Sequence, residues 1–84
     1  MIYSYTLKKE ASPKAFRDAL TLMKKSNTLI NYDGTYIKDP LGDYEKVIFK
    51  SGKEKAELIN EYWPLDCVYV ESTFQIPELQ NLNL

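Results

Sequence analysis

The segment from Cys67 to Ile76 constrains the fold most, because apolar and polar side chains alternate along it for longer than anywhere else in the chain. The apolar set of alternate positions is Val68, Val70, Phe74 and Ile76, interrupted by Ser72. The other set begins with Cys67, Tyr69 and Glu71. A period of two is typical of a strand with one buried and one solvent-facing side. The chain is therefore predicted to build a sheet around this strand.

The chain length sets the number of layers that can form. With 84 residues the chain suits one domain, and we assign residues 1–77 to it and residues 78–84 to a C-terminal tail. A domain of this size buries roughly 60% of its unfolded surface, which leaves room for one sheet and a layer of two helices. No apolar run approaches the roughly 20 residues of a membrane span, and the N-terminus has no secretory-signal pattern. We expect a cytoplasmic protein that does not enter a membrane.

Two helices are predicted from start signals and apolar spacing. Ser12-Pro13 is a favourable helix start, since serine caps the first N–H groups and proline suits the first turn. The apolar stripe that follows is Phe16, Ala19, Leu20 and Met23, widened by Ala15 and Leu22. Further on, Ser51-Gly52-Lys53-Glu54 matches a capping box and predicts a second helix from Gly52 to Tyr62. Pro64 would end that helix, with Trp63 sealing the helix layer.

The remaining segments are predicted to form strands and turns. Strands are predicted over residues 2–8, 28–32, 35–38 and 44–50. Asp33-Gly34 is a hairpin-turn signal, and Asp39-Pro40-Leu41-Gly42 predicts a second turn. Two alternatives stay open at this level: Thr28–Lys38 is either one strand or a hairpin, and either face of the first strand could be the buried one.

This element order predicts an α+β fold, a ferredoxin-like βαββαβ sandwich with two helices on one face of a mostly antiparallel sheet. An extra hairpin strand around Asp33-Gly34 is allowed for. Lys8-Lys9-Glu10-Ala11 follows the first strand without the glycine of ACT-type sensors, the arginine of acylphosphatases or the aspartate of Cas2-like nucleases. Because the fold hosts many unrelated activities, function has to be argued from surfaces.

Composition argues against catalysis. The chain has no histidine, which removes the commonest general base and metal ligand, and its one cysteine, Cys67, cannot form an internal disulfide. The carboxylates Asp33, Asp39, Asp43 and Glu45 match no metal-binding loop and suit turn hydrogen bonds instead. We therefore expect a protein that is not an enzyme and that uses no cofactor and no metal.

The predicted function is that of a small non-catalytic interaction protein, specifically a phage or mobile-element regulator or inhibitor that binds a host macromolecule. Its predicted interaction surface is Tyr3, Tyr5, Tyr44, Lys46, Tyr69 and Trp63. A protein partner or self-association fits the abundance of tyrosine, which anchors interfaces. One alternative is single-stranded nucleic acid stacked on open-face tyrosines, although a formal net charge of −1 lacks the basic excess of such proteins. Another is a small-molecule sensor at a dimer interface.

Overall fold

The computed structural model describes residues 1–80 and contains a five-stranded antiparallel sheet with one long helix packed on one face. The strands are β1 (Tyr3–Lys8), β2 (Asp33–Lys38), β3 (Tyr44–Ser51), β4 (Glu54–Glu61) and β5 (Cys67–Ser72). The helices are α1 (Pro13–Lys24) and the short α2 (Pro77–Gln80), and a 3-10 turn spans Asn27–Leu29. The strand order is β1-β5-β4-β3-β2, so four strands form a meander and β1 joins it beside β5.

The predicted ferredoxin-like fold is wrong, because the segment expected to be the second helix is the central strand β4. Residues Ser51 and Glu54 pair across a two-residue turn in which Gly52 has a φ of 59°. A positive φ at the first turn position suits a type II′ hairpin, so the residues that resemble a capping box form a turn instead. β4 then pairs with β3 on one side and β5 on the other, and a helix there would forfeit both ladders.

The segment Thr28–Lys38 is neither one strand nor a hairpin. Its first part forms the 3-10 turn, which begins where the Ser26 hydroxyl accepts a hydrogen bond from the Thr28 N–H at 3.2 Å. The predicted strand over 28–32 is therefore wrong. The predicted turn at Asp33-Gly34 is also wrong, since both residues lie in β2, where Asp33 pairs with Lys50 and Gly34 with Phe49. Opposite charges at the first of these pairs favour this register.

The predictions for α1 and for the start of β5 are confirmed. The Ser12 hydroxyl accepts a hydrogen bond from the Ala15 N–H at 3.0 Å and caps α1. In β5 the buried positions are Val68, Val70 and Ser72, as the alternation requires. The strand ends at Ser72, whose hydroxyl accepts from the Phe74 N–H at 3.1 Å, so a polar residue is buried there because it caps the bend that follows.

The core lies between α1 and the face of the sheet formed mainly by β4 and β5. α1 contributes Ala15, Phe16, Ala19 and Met23, and the sheet contributes Val47, Phe49, Ala56, Leu58, Val68 and Val70. Leu7 is the buried residue of β1, and Tyr5 on the same face accepts a hydrogen bond from the Ile76 N–H at 3.0 Å. The buried face of the first strand is therefore the one that carries Tyr5 and Leu7.

The chain beyond β5 is attached to the domain as far as Gln80. Ile76 and Leu79 are buried in the core. The Glu78 carboxylate accepts hydrogen bonds from the hydroxyl groups of Ser26 and Thr28, both at 2.6 Å. These bonds lower the pKa of Glu78 from 4.5 to about 2. The last part of the predicted tail, residues 81–84, lies outside the described residues.

Substitutions at Leu58 and Trp63 distinguish the observed strand from the predicted helix. Leu58 is fully buried, whereas Trp63 is 69% exposed. Leu58→Ala should lower the free energy of unfolding by about 3 kcal/mol, as for other buried leucines. Trp63→Ala should change it by less than about 0.5 kcal/mol, the usual range for surface sites. Urea unfolding of both variants measures the difference. A larger loss for Trp63→Ala would contradict the strand assignment.

Glu78 should make the stability of the protein depend on pH. A carboxylate whose pKa is lower in the folded state stabilises the protein at pH values above its unfolded pKa. That contribution should therefore be present above about pH 4.5 and lost as the pH falls toward about 2. Glu78→Gln should reduce stability at pH 7 by about 1 kcal/mol, and the gap to wild type should close in that acidic window. Glu10→Gln, an exposed control, should follow the wild-type curve. A constant gap from pH 7 to pH 2 would contradict the role of the ionised carboxylate.

Candidate interaction surface

Three of the six residues predicted to form an interaction surface share the sheet face opposite α1, here called the open face. Lys46 and Tyr69 both lie beside Ile59 of β4, and Tyr44 pairs with Glu61. The Lys46 ammonium lies 5.7 Å from the centre of the Tyr44 ring, within the range of a cation–π contact. The open face therefore combines aromatic, aliphatic and charged side chains.

Two lysines of the open face are paired with one carboxylate. The Lys46 ammonium lies 2.8 Å from the Glu57 carboxylate, and Lys55 lies 3.6 Å from the same group. Burial opposes ionisation of Glu57, but the hydrogen bond and charge of Lys46 outweigh it, and the pKa of Glu57 is lowered. Because Lys46 and Lys55 are paired with Glu57, they are less able to bind the phosphates of a nucleic acid, which depends on unpaired cations.

Tyr3 and Tyr5 lie on the sheet face that α1 covers, opposite Ser72 and Val70 of β5. Both are half-buried, and the Tyr5 hydroxyl is occupied by the Ile76 N–H. The structure therefore does not bring these two tyrosines together with Tyr44, Lys46 and Tyr69.

The sixth predicted residue, Trp63, belongs to a group of exposed apolar side chains at one end of the sheet. This group, here called the loop patch, consists of Leu41, Trp63 and Leu65, with exposed fractions of 85%, 69% and 61%. Leu41 lies in the β2–β3 loop, and the other two lie in the β4–β5 loop. The loops adjoin each other, because the Asp43 carbonyl accepts hydrogen bonds from the Tyr62 and Trp63 N–H groups at 2.8 and 3.2 Å.

Further hydrogen bonds hold the β4–β5 loop at both ends. One carboxylate oxygen of Glu61 accepts from the Leu65 N–H at 3.1 Å, and the other accepts from the Tyr69 hydroxyl at 2.7 Å. Burial, followed by this bond to Glu61, raises the pKa of Tyr69, so its hydroxyl remains a donor at neutral pH. The Asp66 carboxylate accepts from the Ala11 N–H at 3.0 Å and ties the loop to the start of α1. The loop patch is thus presented on backbone that is already ordered.

The loops that carry the patch are acidic. Residues 39–43 and 62–66 contain the aspartates Asp39, Asp43 and Asp66 and no lysine or arginine. Leu41 and Leu65 each follow a proline in these loops. Sequence reasoning predicted Trp63 but missed both leucines, although a large apolar residue inside a tight turn such as Asp39-Pro40-Leu41-Gly42 is a sign of exposure.

Two features that sequence analysis considered, the acidic side chains and Cys67, can be located in residues 1–80. Within them, no group of three or more acidic, cysteine or histidine side chains is arranged to hold a metal ion. Burial raises the pKa of the Cys67 thiol, with Glu61 and Asp66 adding to the effect, so the thiolate form is disfavoured.

Comparisons with known proteins add no further guide to function. No protein-family model, curated protein or solved structure matches this chain. No helix in the described part of the chain is long and apolar enough to cross a membrane. A functional proposal must therefore be built from the loop patch and the other described surfaces.

Glu61 should hold the β4–β5 loop in place. Glu61→Ala removes the acceptor of the Leu65 N–H, and losing a charge-assisted hydrogen bond of about 1.5 kcal/mol corresponds to roughly tenfold faster amide exchange. Hydrogen exchange followed by NMR measures the Leu65 amide directly. Glu71→Ala is the matched control, because Glu71 is exposed on the open face and its carboxylate makes no hydrogen bond within residues 1–80. An unchanged exchange rate of the Leu65 amide in Glu61→Ala would contradict this role and show that the other loop contacts hold the loop.

Proposed function

We propose that this chain is a non-catalytic interaction protein that binds another protein through the loop patch. The observation that carries the proposal is the exposure of Leu41, Trp63 and Leu65 on two adjoining, hydrogen-bonded loops. Adjacent apolar side chains on a soluble domain mark interaction sites more often than single exposed ones do. Tryptophan is among the residues most enriched at the energetic centres of interfaces.

The chemistry of the loops defines the partner. Three aspartates accompany the apolar side chains, and the two loop segments hold no compensating lysine or arginine. A complementary surface would have an apolar pocket for Trp63, bordered by lysine or arginine side chains. We therefore propose a protein partner with a basic-rimmed apolar pocket.

The hydrogen bonds that already hold the loop backbone in place favour tight binding. Association costs roughly 0.5–1.5 kcal/mol for each flexible side chain that must be immobilised, and more when loop backbone must be ordered. Here the Asp43 carbonyl and the Glu61 carboxylate already hold the backbone of the Trp63 loop. Most of the ordering cost would thus be met in the free protein.

The more specific proposal is a regulator or inhibitor from a phage or mobile element that acts on a host macromolecule. It rests on composition: a small chain rich in lysine, asparagine and tyrosine, including seven tyrosines. Nucleic-acid binding ranks lower, because Glu57, Glu61 and Glu71 share the open face with its tyrosines.

Photo-cross-linking should identify the partner and place it at the loop patch. A photoreactive amino acid would replace Trp63 in one protein and Lys53 in a control, since Lys53 lies in the β3–β4 turn at the opposite end of the sheet. Both proteins would be irradiated in host cells, with and without nuclease treatment before purification. We expect one protein to be cross-linked from position 63 only. Equal cross-linking from both positions, or capture that nuclease abolishes, would contradict the proposal.

Binding of the captured protein then tests the role of Trp63 quantitatively. Trp63 is the only tryptophan of the chain, so its fluorescence should shift to shorter wavelength as the partner buries it. Trp63→Ala should weaken binding about 30-fold, equivalent to the roughly 2 kcal/mol typical of a hot spot. Ile2→Ala is the matched control, because Ile2 is 59% exposed and precedes β1 at the end of the sheet opposite the loop patch. Equal effects of the two substitutions in calorimetric titrations would overturn the assignment.

A further inference from the structure

A second surface, sharing no residue with the loop patch, lies between α1 and the edge strand β2. It is a groove of about 440 Å³ whose floor is formed by Val47 and Phe49. Leu20 and Ile30 line it on one side, and Gly34 and Tyr36 line it on the other. This volume is within the range of small-ligand and peptide pockets. The groove exists because α1 packs on β4 and β5 and leaves the helix-side face of β2 uncovered.

Within residues 1–80, the edge of the sheet beside this groove has no further strand. All six residues of β2 are exposed, and β3 is the one strand of this part of the chain that pairs with β2. The Asp39 N–H donates to the Tyr44 carbonyl at 3.0 Å, which fixes the alternation of hydrogen-bonded pairs along the β2–β3 ladder. By that alternation, the N–H and C=O groups of Gly34, Tyr36 and Lys38 point away from β3. The outward-facing backbone groups of β2 and the groove therefore run side by side.

An extended peptide satisfies both features together. A strand added to β2 would accept and donate hydrogen bonds at Gly34, Tyr36 and Lys38, as in other cases of strand addition to a sheet edge. Since side chains alternate along a strand, every second side chain of the peptide would enter the groove. Apolar side chains at alternate positions would then cover Val47 and Phe49.

Lys24 adds a charge preference. It is the last residue of α1 and lines the groove, and it forms no ion pair within residues 1–80. A carboxylate on the peptide would complement it. A second copy of this chain fits less well, because β2 would present Gly34, Tyr36 and Lys38 to the groove. That arrangement would bring Lys38 of the second copy to the side that already carries Lys24.

We infer that the groove between α1 and β2 binds an extended peptide segment of a partner protein, added to the sheet beside β2. The segment carries apolar side chains at alternate positions and an acidic side chain toward Lys24. This inference goes beyond the proposed function, because it assigns a second binding site with a different mode of recognition.

Gly34 provides a way to block the groove without disturbing the fold. A Cβ atom on Gly34 would lie 3.5 Å from Val47 Cγ1 and 3.7 Å from Phe49 Cε1, which are ordinary contact distances. Gly34→Ala should therefore fold normally and serve as the control. Gly34→Leu places a larger side chain where the peptide side chain is expected, and both substitutions suit a strand better than glycine does.

The experiment is an NMR titration with a short acetylated peptide that alternates threonine with valine or leucine and carries one aspartate. A scrambled peptide of the same composition is the control. We expect the amide signals of Gly34, Tyr36 and Lys38 to shift, with the Trp63 signal unchanged. Gly34→Leu should weaken binding at least tenfold, and Gly34→Ala should weaken it much less. Lys24→Glu should reverse the charge preference, so that a peptide with lysine in place of aspartate binds more tightly.

A backbone variant tests strand addition directly. Tyr36→Pro removes an outward-facing N–H, which an edge strand tolerates, together with the groove-lining ring, whereas Tyr36→Ala removes the ring alone. Tyr36→Pro should abolish binding and Tyr36→Ala should only weaken it, while the amide signals of β3 stay in place. Four outcomes would overturn the inference: no binding of either peptide at millimolar concentration, equal binding of the scrambled peptide, unchanged binding by Gly34→Leu, and shifts confined to the loop patch. Signals of β2 that move with protein concentration alone would assign the edge to a second copy and also overturn it.

Discussion

The packing of one helix against a five-stranded sheet determines most of this structure. Four spacings of about 4.8 Å put the outer strands about 19 Å apart, whereas a helix with its side chains is about 10 Å wide. α1 therefore covers the centre of one face and cannot cover both flanks. On the β1 side, Ile76 and Leu79 complete the core, and the hydrogen bonds of Glu78 hold the segment that carries them. On the β2 side no equivalent segment within residues 1–80 fills the space, and the groove remains.

The same sheet explains why the loop patch is ordered although it is exposed. The β2–β3 and β4–β5 loops emerge at the same end, because β3 and β4 are antiparallel neighbours whose ladder runs to Tyr44 and Glu61. The hydrogen bonds to the Asp43 carbonyl continue that ladder into the loops. Glu61 then connects the open face, through the Tyr69 hydroxyl, to the Leu65 N–H. The exposed apolar side chains are thus supported by strand geometry rather than by local turn structure alone.

The sequence predicted the elements whose local and long-range preferences agree. α1 has a cap and a clear apolar stripe and was predicted correctly, whereas the strand predicted over residues 67–76 is confirmed for Cys67–Ser72 only. The prediction for β4 was wrong because its residues favour a helix locally and because its apolar and polar side chains do not alternate regularly. Asn60 is buried on the helix side, while Ile59 lies on the open face. Only pairing with two neighbouring strands makes this segment a strand, and a single segment does not reveal its partners. The sequence also does not reveal which loops lie next to each other. Trp63 was therefore predicted as a site residue, but Leu41 and Leu65 of the loop patch were not.

The groups that the described surface leaves without a partner support the proposal of a binding protein. On the open face, Lys46 is paired with Glu57, and Glu61 accepts the hydrogen bond of the Tyr69 hydroxyl. Two other features of residues 1–80 have no partner within that part of the chain. They are the apolar side chains of the loop patch, and the groove beside the outward-facing backbone groups of β2. Apolar area and backbone hydrogen-bonding groups are what a second polypeptide satisfies, because it supplies both in one segment.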